Sequence, residues 1–207
     1  QIIQAGNYHC RDSFKDILLH YQEEDFRLDC EYRQFYSAFD QIEDTTGFEP
    51  LRDLVENIYT NEYLETLLPK WNAAIQESDA LMALPLQRDF YARNLKNIKE
   101  RTVVIISDAM RYEVGKELFR RMQDDPKCTA KLEVQLSVLP SYTRLGMAAL
   151  LPHTELTMTD DFKVLVDGLP CENLVEREAI LQKYNMDSVC VQFDSIKSLK
   201  IADLRSI

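Results

Sequence analysis

The chain has 207 residues and a formal net charge of −11, and it is 45% hydrophobic, 29% charged and 10% aromatic. This apolar content excludes a disordered or low-complexity chain, and the length suits one large domain or two small ones. No uninterrupted apolar run exceeds five residues, as in Met147–Leu151, which is far shorter than the roughly 18 residues that a membrane-spanning helix needs. With five scattered cysteines and no CxxC spacing, we expect reduced thiols in a cytoplasmic protein that does not contact membranes.

Negative charge is concentrated in the first hundred residues, which contain 10 basic and 19 acidic side chains. The remaining residues contain 14 basic and 16 acidic side chains and are therefore nearly balanced. Nonspecific binding to nucleic acid depends on basic clusters that displace counterions. The first half is therefore excluded as a nucleic-acid-binding surface.

Residues 1–100 have the pattern of an acidic helical region. Apolar side chains recur there at steps of three and four residues, which predicts amphipathic helices that bury one face. The clearest stripes are Phe14, Ile17, Leu18 and Tyr21, then Leu51, Leu54, Val55 and Ile58, and finally Phe90, Tyr91 and Leu95. Pro69 and Pro85 are expected to interrupt the helical pattern.

The hydrophobic period changes at Thr102, where short apolar runs begin to alternate with helical spacing. This alternation predicts an α/β fold over residues 101–207, with a mostly parallel sheet flanked by helices. The predicted strands are Val103–Ile106, Leu132–Leu139, Lys163–Val166 and Ser188–Phe193, and the predicted helices cover 114–122, 143–152 and 179–184.

The first candidate site residue is Asp108, which follows the apolar run Val103–Ile106. Ligands in open α/β sheets bind at the carboxyl ends of strands, and a carboxylate held there can bind a metal ion. The alternative is that Asp108 caps the next helix, as aspartate readily does.

The second candidate is Thr143, which stands with Ser141 ahead of an Ala- and Leu-rich helix. A hydroxyl group at that position can act as a nucleophile if a metal or a base withdraws its proton. The alternative is again a capping role, which Ser and Thr favour regardless of function. His153 follows Pro152 in a predicted surface loop.

Both motifs resemble the PglZ family, a branch of the alkaline phosphatase superfamily found in bacterial BREX phage-defence systems. The matching stretches are Val103–Leu118, "VVIISDAMRYEVGKEL", and Leu139–His153, "LPSYTRLGMAALLPH". The helical half is similar to the region that precedes the PglZ domain in type A members. The resemblance therefore implies that residues 101–207 form the N-terminal part of an alkaline-phosphatase-like domain.

The resemblance also implies a chemistry. Superfamily members bind two divalent metal ions, commonly zinc with manganese as the alternative, and hydrolyse phosphoesters through a Ser or Thr nucleophile. By matching position, Asp108 is a metal ligand, and Thr143 is the nucleophile and itself a metal ligand. Arg111 matches the motif without a defined role, and both a salt bridge and a phosphate contact remain open for it.

The family's remaining metal ligands, a set of Asp and His residues, are expected downstream of this chain, because residues 154–207 do not supply them. The chain also begins without methionine, so we expect an internal piece of a longer protein. The isolated piece should bind metal weakly and be inactive.

Two functions are expected from this resemblance. In the first, the parent protein is a metal-dependent phosphatase or phosphodiesterase in phage defence, with nucleic acid among its candidate substrates. In the second, it is a non-catalytic scaffold for other BREX proteins such as the methyltransferase. The presence of the downstream Asp and His ligands would distinguish the two.

Overall fold

The computed structural model describes residues 6–77 and 84–204. They fall into two compact units, the first within residues 1–83 and 109–133 and the second within residues 84–108 and 134–207. The predicted domain boundary at residue 100 stays a prediction.

The first unit is helical, as the apolar periodicity predicts. Two π-helical turns interrupt its helices. Tyr21–Asp25 lies between α1 (Phe14–His20) and α2 (Phe26–Phe39), and Ile58–Leu64 lies between α3 (Glu49–Asn57) and α4 (Glu65–Glu77). Pro69 lies inside α4 rather than ending it, which corrects the expected interruption. The helices are α1 Phe14–His20, α2 Phe26–Phe39, α3 Glu49–Asn57, α4 Glu65–Glu77 and α6 Tyr112–Gln123.

Aromatic side chains and carboxylates share the interior of the first unit. Its most buried hydrophobic side chains, among the described residues, are Phe14, Ile17, Val55, Ile58 and Tyr63. The buried carboxylate of Asp25 accepts a hydrogen bond from the Tyr8 hydroxyl at 2.7 Å. The Asp29 carboxylate similarly accepts bonds from the hydroxyls of Tyr21 and Tyr59. These tyrosines replace the water that each carboxylate loses on burial.

The second unit combines short helices with a small sheet. The described residues contain three strands, β1 (Leu156–Met158), β2 (Val164–Val166) and β3 (Leu169–Pro170). They pair antiparallel in that order, with Leu156 opposite Val166 and Val166 opposite Leu169. A two-residue turn joins β2 to β3 through Asp167 and Gly168, both of which have positive φ; Asp-Gly is favoured in such hairpins. The elements are α5 Phe90–Asn94, α7 Thr143–Ala149, β1 Leu156–Met158, β2 Val164–Val166, β3 Leu169–Pro170, α8 Leu174–Gln182, α9 Phe193–Ile196 and α10 Ile201–Leu204.

The core of the second unit forms where α7 and α8 pack on the sheet. Its buried members are Ala148, Leu151, Val164, Val166, Cys171 and Ile180. The β2 strand supplies two of them, and it confirms the strand predicted at Lys163–Val166. The predicted helices near residues 114–122, 143–152 and 179–184 correspond to α6, α7 and α8.

The mostly parallel sheet is not seen in the described residues, where the sheet is antiparallel and small. Val103–Ile106 forms no strand, and these four side chains are between 43% and 82% exposed. Within Leu132–Leu139, the described residues form one parallel bridge, from Leu136 to Leu86. Residues 188–192 form no strand, and α9 begins at Phe193. An apolar run predicts a strand covered on both faces only when neighbouring strands pair with it. The observed fold is a mixture of helices and a small sheet.

Candidate active site

Asp108 lies in a turn that follows a segment without regular secondary structure, residues 101–107, and it is exposed to solvent. The next residue, Ala109, has a φ of 55°, a left-handed conformation that residues with a Cβ atom adopt infrequently. The N-cap of α6 is Arg111, three residues further on. Asp108 is therefore not the cap of this helix, which removes the structural alternative proposed from the sequence.

Thr143 is the first residue of α7, and its N-cap is Tyr142. Its side chain is exposed, and the hydroxyl has no hydrogen-bond partner in the described part of the chain. A capping threonine would instead accept a bond from a backbone N–H of the first turn. The hydroxyl group is therefore exposed to solvent and does not cap the helix.

The other end of α7 is fixed in the core, where Ala148 and Ala149 have no solvent exposure. Near its start, the Arg144 guanidinium forms an ion pair with the Glu172 carboxylate at 2.9 Å. The Tyr142 hydroxyl donates to the carbonyl oxygen of Phe162 at 3.3 Å. These contacts hold the helix in place while the first residue stays open to solvent.

Gln87 is a residue of this site that the sequence patterns do not reveal. Its side-chain oxygen accepts a hydrogen bond from the Val138 N–H at 3.1 Å, and its side-chain nitrogen donates to the Gly146 carbonyl at 3.1 Å. Its backbone N–H also donates to the Leu136 carbonyl at 2.8 Å. These partners are 49 to 59 residues away, and no local pattern signals contacts of that range.

Arg111 and His153 are the remaining candidates from the motifs. The Arg111 side chain is exposed and has no ion-pair partner among residues 6–77 and 84–204, so no salt bridge explains it there. His153 is half-buried in a loop, and its Nδ1 lies 2.7 Å from the Leu151 carbonyl oxygen. Because a carbonyl only accepts hydrogen bonds, Nδ1 carries the proton.

Asp108 and Thr143 both belong to the second unit, and their sharing of one metal ion stays a prediction. A carboxylate and a hydroxyl are oxygen donors suited to divalent cations. Within the described ranges, however, no group of three or more His, Cys, Asp or Glu side chains is arranged to bind a metal. The residues present fit part of a metal site rather than a complete one, since zinc takes about four ligands.

Comparison with known proteins identifies a protein family that matches this chain. Residues 89–207 match the family model of the BREX system PglZ alkaline phosphatase-like domain. No solved structure matches the chain. In the part of the chain that the structure describes, no helix is both long and apolar enough to cross a bilayer.

Two curated relatives extend the match beyond that domain. The alkaline phosphatase-like protein PglZ of Bacillus cereus (strain H3081.97) is 38% identical over 214 aligned residues, which cover 100% of this chain and 25% of the relative. The alkaline phosphatase-like protein BrxZ of Escherichia coli O9:H4 (strain HS) is 38% identical over 179 residues, covering 79% of the chain and 21% of the relative. The chain thus spans a quarter or less of the length of these proteins.

Proposed function

The chain belongs to the PglZ family of BREX alkaline phosphatase-like proteins, and from this we propose that its parent protein hydrolyses a phosphoester during phage defence. The nucleophile in this proposal is the hydroxyl group of Thr143. Asp108 binds a metal ion, and Thr143 contributes a second oxygen ligand. The natural substrate is a phosphate monoester or diester, with nucleic acid among the candidates.

The observation that best supports the proposal is the accessibility of the Thr143 hydroxyl. It is exposed, it has no hydrogen-bond partner among the described residues, and it begins a helix whose far end is buried. A nucleophile needs access to substrate together with a fixed position. The neighbouring hydroxyl of Ser141 lies before the helix and serves as an internal comparison.

The metal ions are part of the proposal. Two divalent cations, zinc or alternatively manganese, would lower the pKa of the attacking hydroxyl and offset the charge of the phosphate group. Asp108 supplies a carboxylate and Thr143 a hydroxyl oxygen, which are too few ligands for two ions. We propose that the other ligands come from Asp and His residues in the remainder of the parent protein.

The reaction proceeds in two displacements at phosphorus. In the first, Thr143 Oγ forms a bond to phosphorus as the bond to the leaving alcohol oxygen breaks. The hydroxyl proton passes to water, and the departing oxygen takes a proton from water. In the second, water attacks the phosphothreonine, which releases the phosphate product and restores the hydroxyl group.

The test compares hydrolysis of a nitrophenyl phosphodiester by the full-length protein and its variants, with zinc or manganese present. Thr143→Ala should lower kcat by about a hundredfold or more, because it removes the atom that bonds to phosphorus. Ser141→Ala, which removes a neighbouring exposed hydroxyl, should leave kcat unchanged.

Equal turnover by Thr143→Ala and the parent protein would eliminate Thr143 as the nucleophile. A complete lack of metal-dependent turnover in the full-length protein would favour the second role, a scaffold for other BREX proteins such as the methyltransferase. That role predicts that Thr143→Ala retains both binding to those proteins and phage resistance.

A further inference from the structure

We propose that Gln87 is a positioning residue for Thr143, because its single amide group joins the two flanks of the segment that carries this hydroxyl. Val138 lies five residues before Thr143, and Gly146 lies three residues after it. Gln87 binds the N–H of the first and the carbonyl of the second. The inference rests on the proposed function, since it assigns Gln87 a part in that reaction.

Both polar atoms of the Gln87 amide group, Oε1 and Nε2, suit the backbone groups that they bind. The Val138 N–H can only donate a hydrogen bond and the Gly146 carbonyl can only accept one. A carboxamide offers one acceptor and one donor side by side, and only one orientation of the Gln87 amide satisfies both partners. A carboxylate at this position could not donate, and an aliphatic side chain could form neither bond.

Gly146 is fitted to the same contact. A Cβ atom placed on Gly146 would lie 3.3 Å from Gln87 Nε2, which is tighter than most such contacts. The absence of a side chain on this turn of α7 therefore allows the amide to approach the helix closely. Gly146→Ala should push the amide away from its carbonyl partner by a few tenths of an ångström.

The backbone around Gln87 makes the amide a fixed anchor. The Gln87 N–H donates to the Leu136 carbonyl at 2.8 Å, and the Leu136 N–H donates to the Pro85 carbonyl at 2.7 Å. These two bonds form a parallel bridge between Leu86 and Leu136. Four hydrogen bonds thus connect residues 85–87 with the two flanks of Thr143.

As a result, Thr143 lies in a short segment that is held by hydrogen bonds at both of its ends. Residues 139–145 are held at both ends by one side chain, and the end of α7 is buried. Holding a nucleophile in its attacking position raises kcat, and displacement by about 1 Å can cost about a hundredfold in rate. Loss of the amide should therefore loosen residues 139–145 and reduce kcat more than it changes KM.

The experiment uses the full-length protein and two methionine variants that keep side-chain length. Gln87→Met removes both amide bonds. Gln182→Met, the matched control, removes the bonds from the half-buried Gln182 amide to the Glu178 carboxylate and the Ser188 carbonyl elsewhere in the second unit. Each variant is assayed for kcat and KM with a nitrophenyl phosphodiester, and for amide hydrogen exchange over residues 136–147.

Gln87→Met should lower kcat by about tenfold with KM within about twofold of the parent, and speed exchange in residues 136–147. Gln182→Met should change neither. Parental exchange in Gln87→Met, or faster exchange with parental kcat, would overturn the proposal. If Thr143→Ala itself keeps parental turnover, the nucleophile assignment fails instead, and exchange alone then decides whether Gln87 holds the segment.

Discussion

The guanidinium of Arg33 in α2 pairs with the buried carboxylate of Glu113 in the first turn of α6, 80 residues away in the sequence. Only 5% of the Glu113 side chain is exposed. Arg33 contacts its Oε1 atom, and the Oε2 atom has no hydrogen-bond partner in the described residues. Removing one partner of such a pair leaves an uncompensated buried charge. This contact therefore restrains the start of α6 against α2.

We predict that Arg33→Met lowers the free energy of unfolding by about 2 kcal/mol. This value is below the usual cost of breaking a fully buried ion pair, because about a third of the Arg33 side chain is exposed to solvent. Arg27→Met, at a pair with Glu24 in which both side chains are half exposed, should cost at most about 0.5 kcal/mol. Urea unfolding of both variants measures the difference. Equal effects would show that the Arg33–Glu113 contact contributes no more than a surface pair.

The hydroxyl of Tyr63 gives a prediction of opposite sign. Tyr63 is 1% exposed and its hydroxyl has no partner among the described residues, and burial raises its pKa. Tyr63→Phe removes a buried polar group that forms no bond, so it should leave stability unchanged or raise it by about 1 kcal/mol. Tyr59→Phe removes a 2.7 Å bond to Asp29 and should lower stability by about 1 kcal/mol. Thermal unfolding of the two variants tests this contrast, and a clear loss in Tyr63→Phe would contradict it.

Asp167 should make the sheet sensitive to acid. The backbone N–H groups of Glu155 and Thr154 donate to its carboxylate and hold its pKa below the ordinary 3.8. Because the folded state binds the proton less readily, these bonds stabilise the fold above that value and are lost as pH falls through the lowered pKa. Asp167→Asn should therefore flatten the fall in stability as the pH drops below about 4.

Unfolding by urea across this pH range provides the measurement for Asp167. Asp160→Asn is the control, since Asp160 is exposed and forms no hydrogen bond with a described residue. An identical acid profile for Asp167→Asn and the parent would show that the two N–H groups do not stabilise the charged form.

Metal removal tests the role assigned to Asp108. A chelator should abolish phosphodiester hydrolysis by the full-length protein, and added zinc or manganese should restore it. Asp108→Asn should raise the metal concentration for half-maximal turnover by about tenfold or more, because it removes a charged ligand. Asp160→Asn should match the parent in the same titration, and a parental metal requirement in Asp108→Asn would exclude this residue as a ligand.

The helices of the first unit could be predicted from sequence because burial of Phe14, Ile17, Val55 and Ile58 is a local consequence of helical spacing. The π-helical turns could not, because a one-residue shift in the backbone hydrogen bonds leaves no signal in the spacing of apolar residues. A local pattern specifies which face of a helix is apolar, but not how its turns adjust to neighbours.

Strand prediction failed at Val103–Ile106 for a related reason. The run has the composition of a buried strand, but pairing is a long-range property, and these side chains are at least 43% exposed. For the site, the motifs identified Asp108 and Thr143, which stay predictions as ligand and nucleophile. Gln87 was missed because its importance depends on Val138 and Gly146, more than 50 residues away.

The burial of Ala148 and Ala149 has a practical consequence for engineering the substrate preference of the proposed active site. A larger side chain at either position would have to push neighbouring atoms apart, because neither alanine has any solvent-exposed surface. Mutant libraries should therefore keep both alanines fixed and diversify the exposed positions 139–141 instead. Variants at those positions would keep the buried end of α7, and with it the position of the Thr143 hydroxyl.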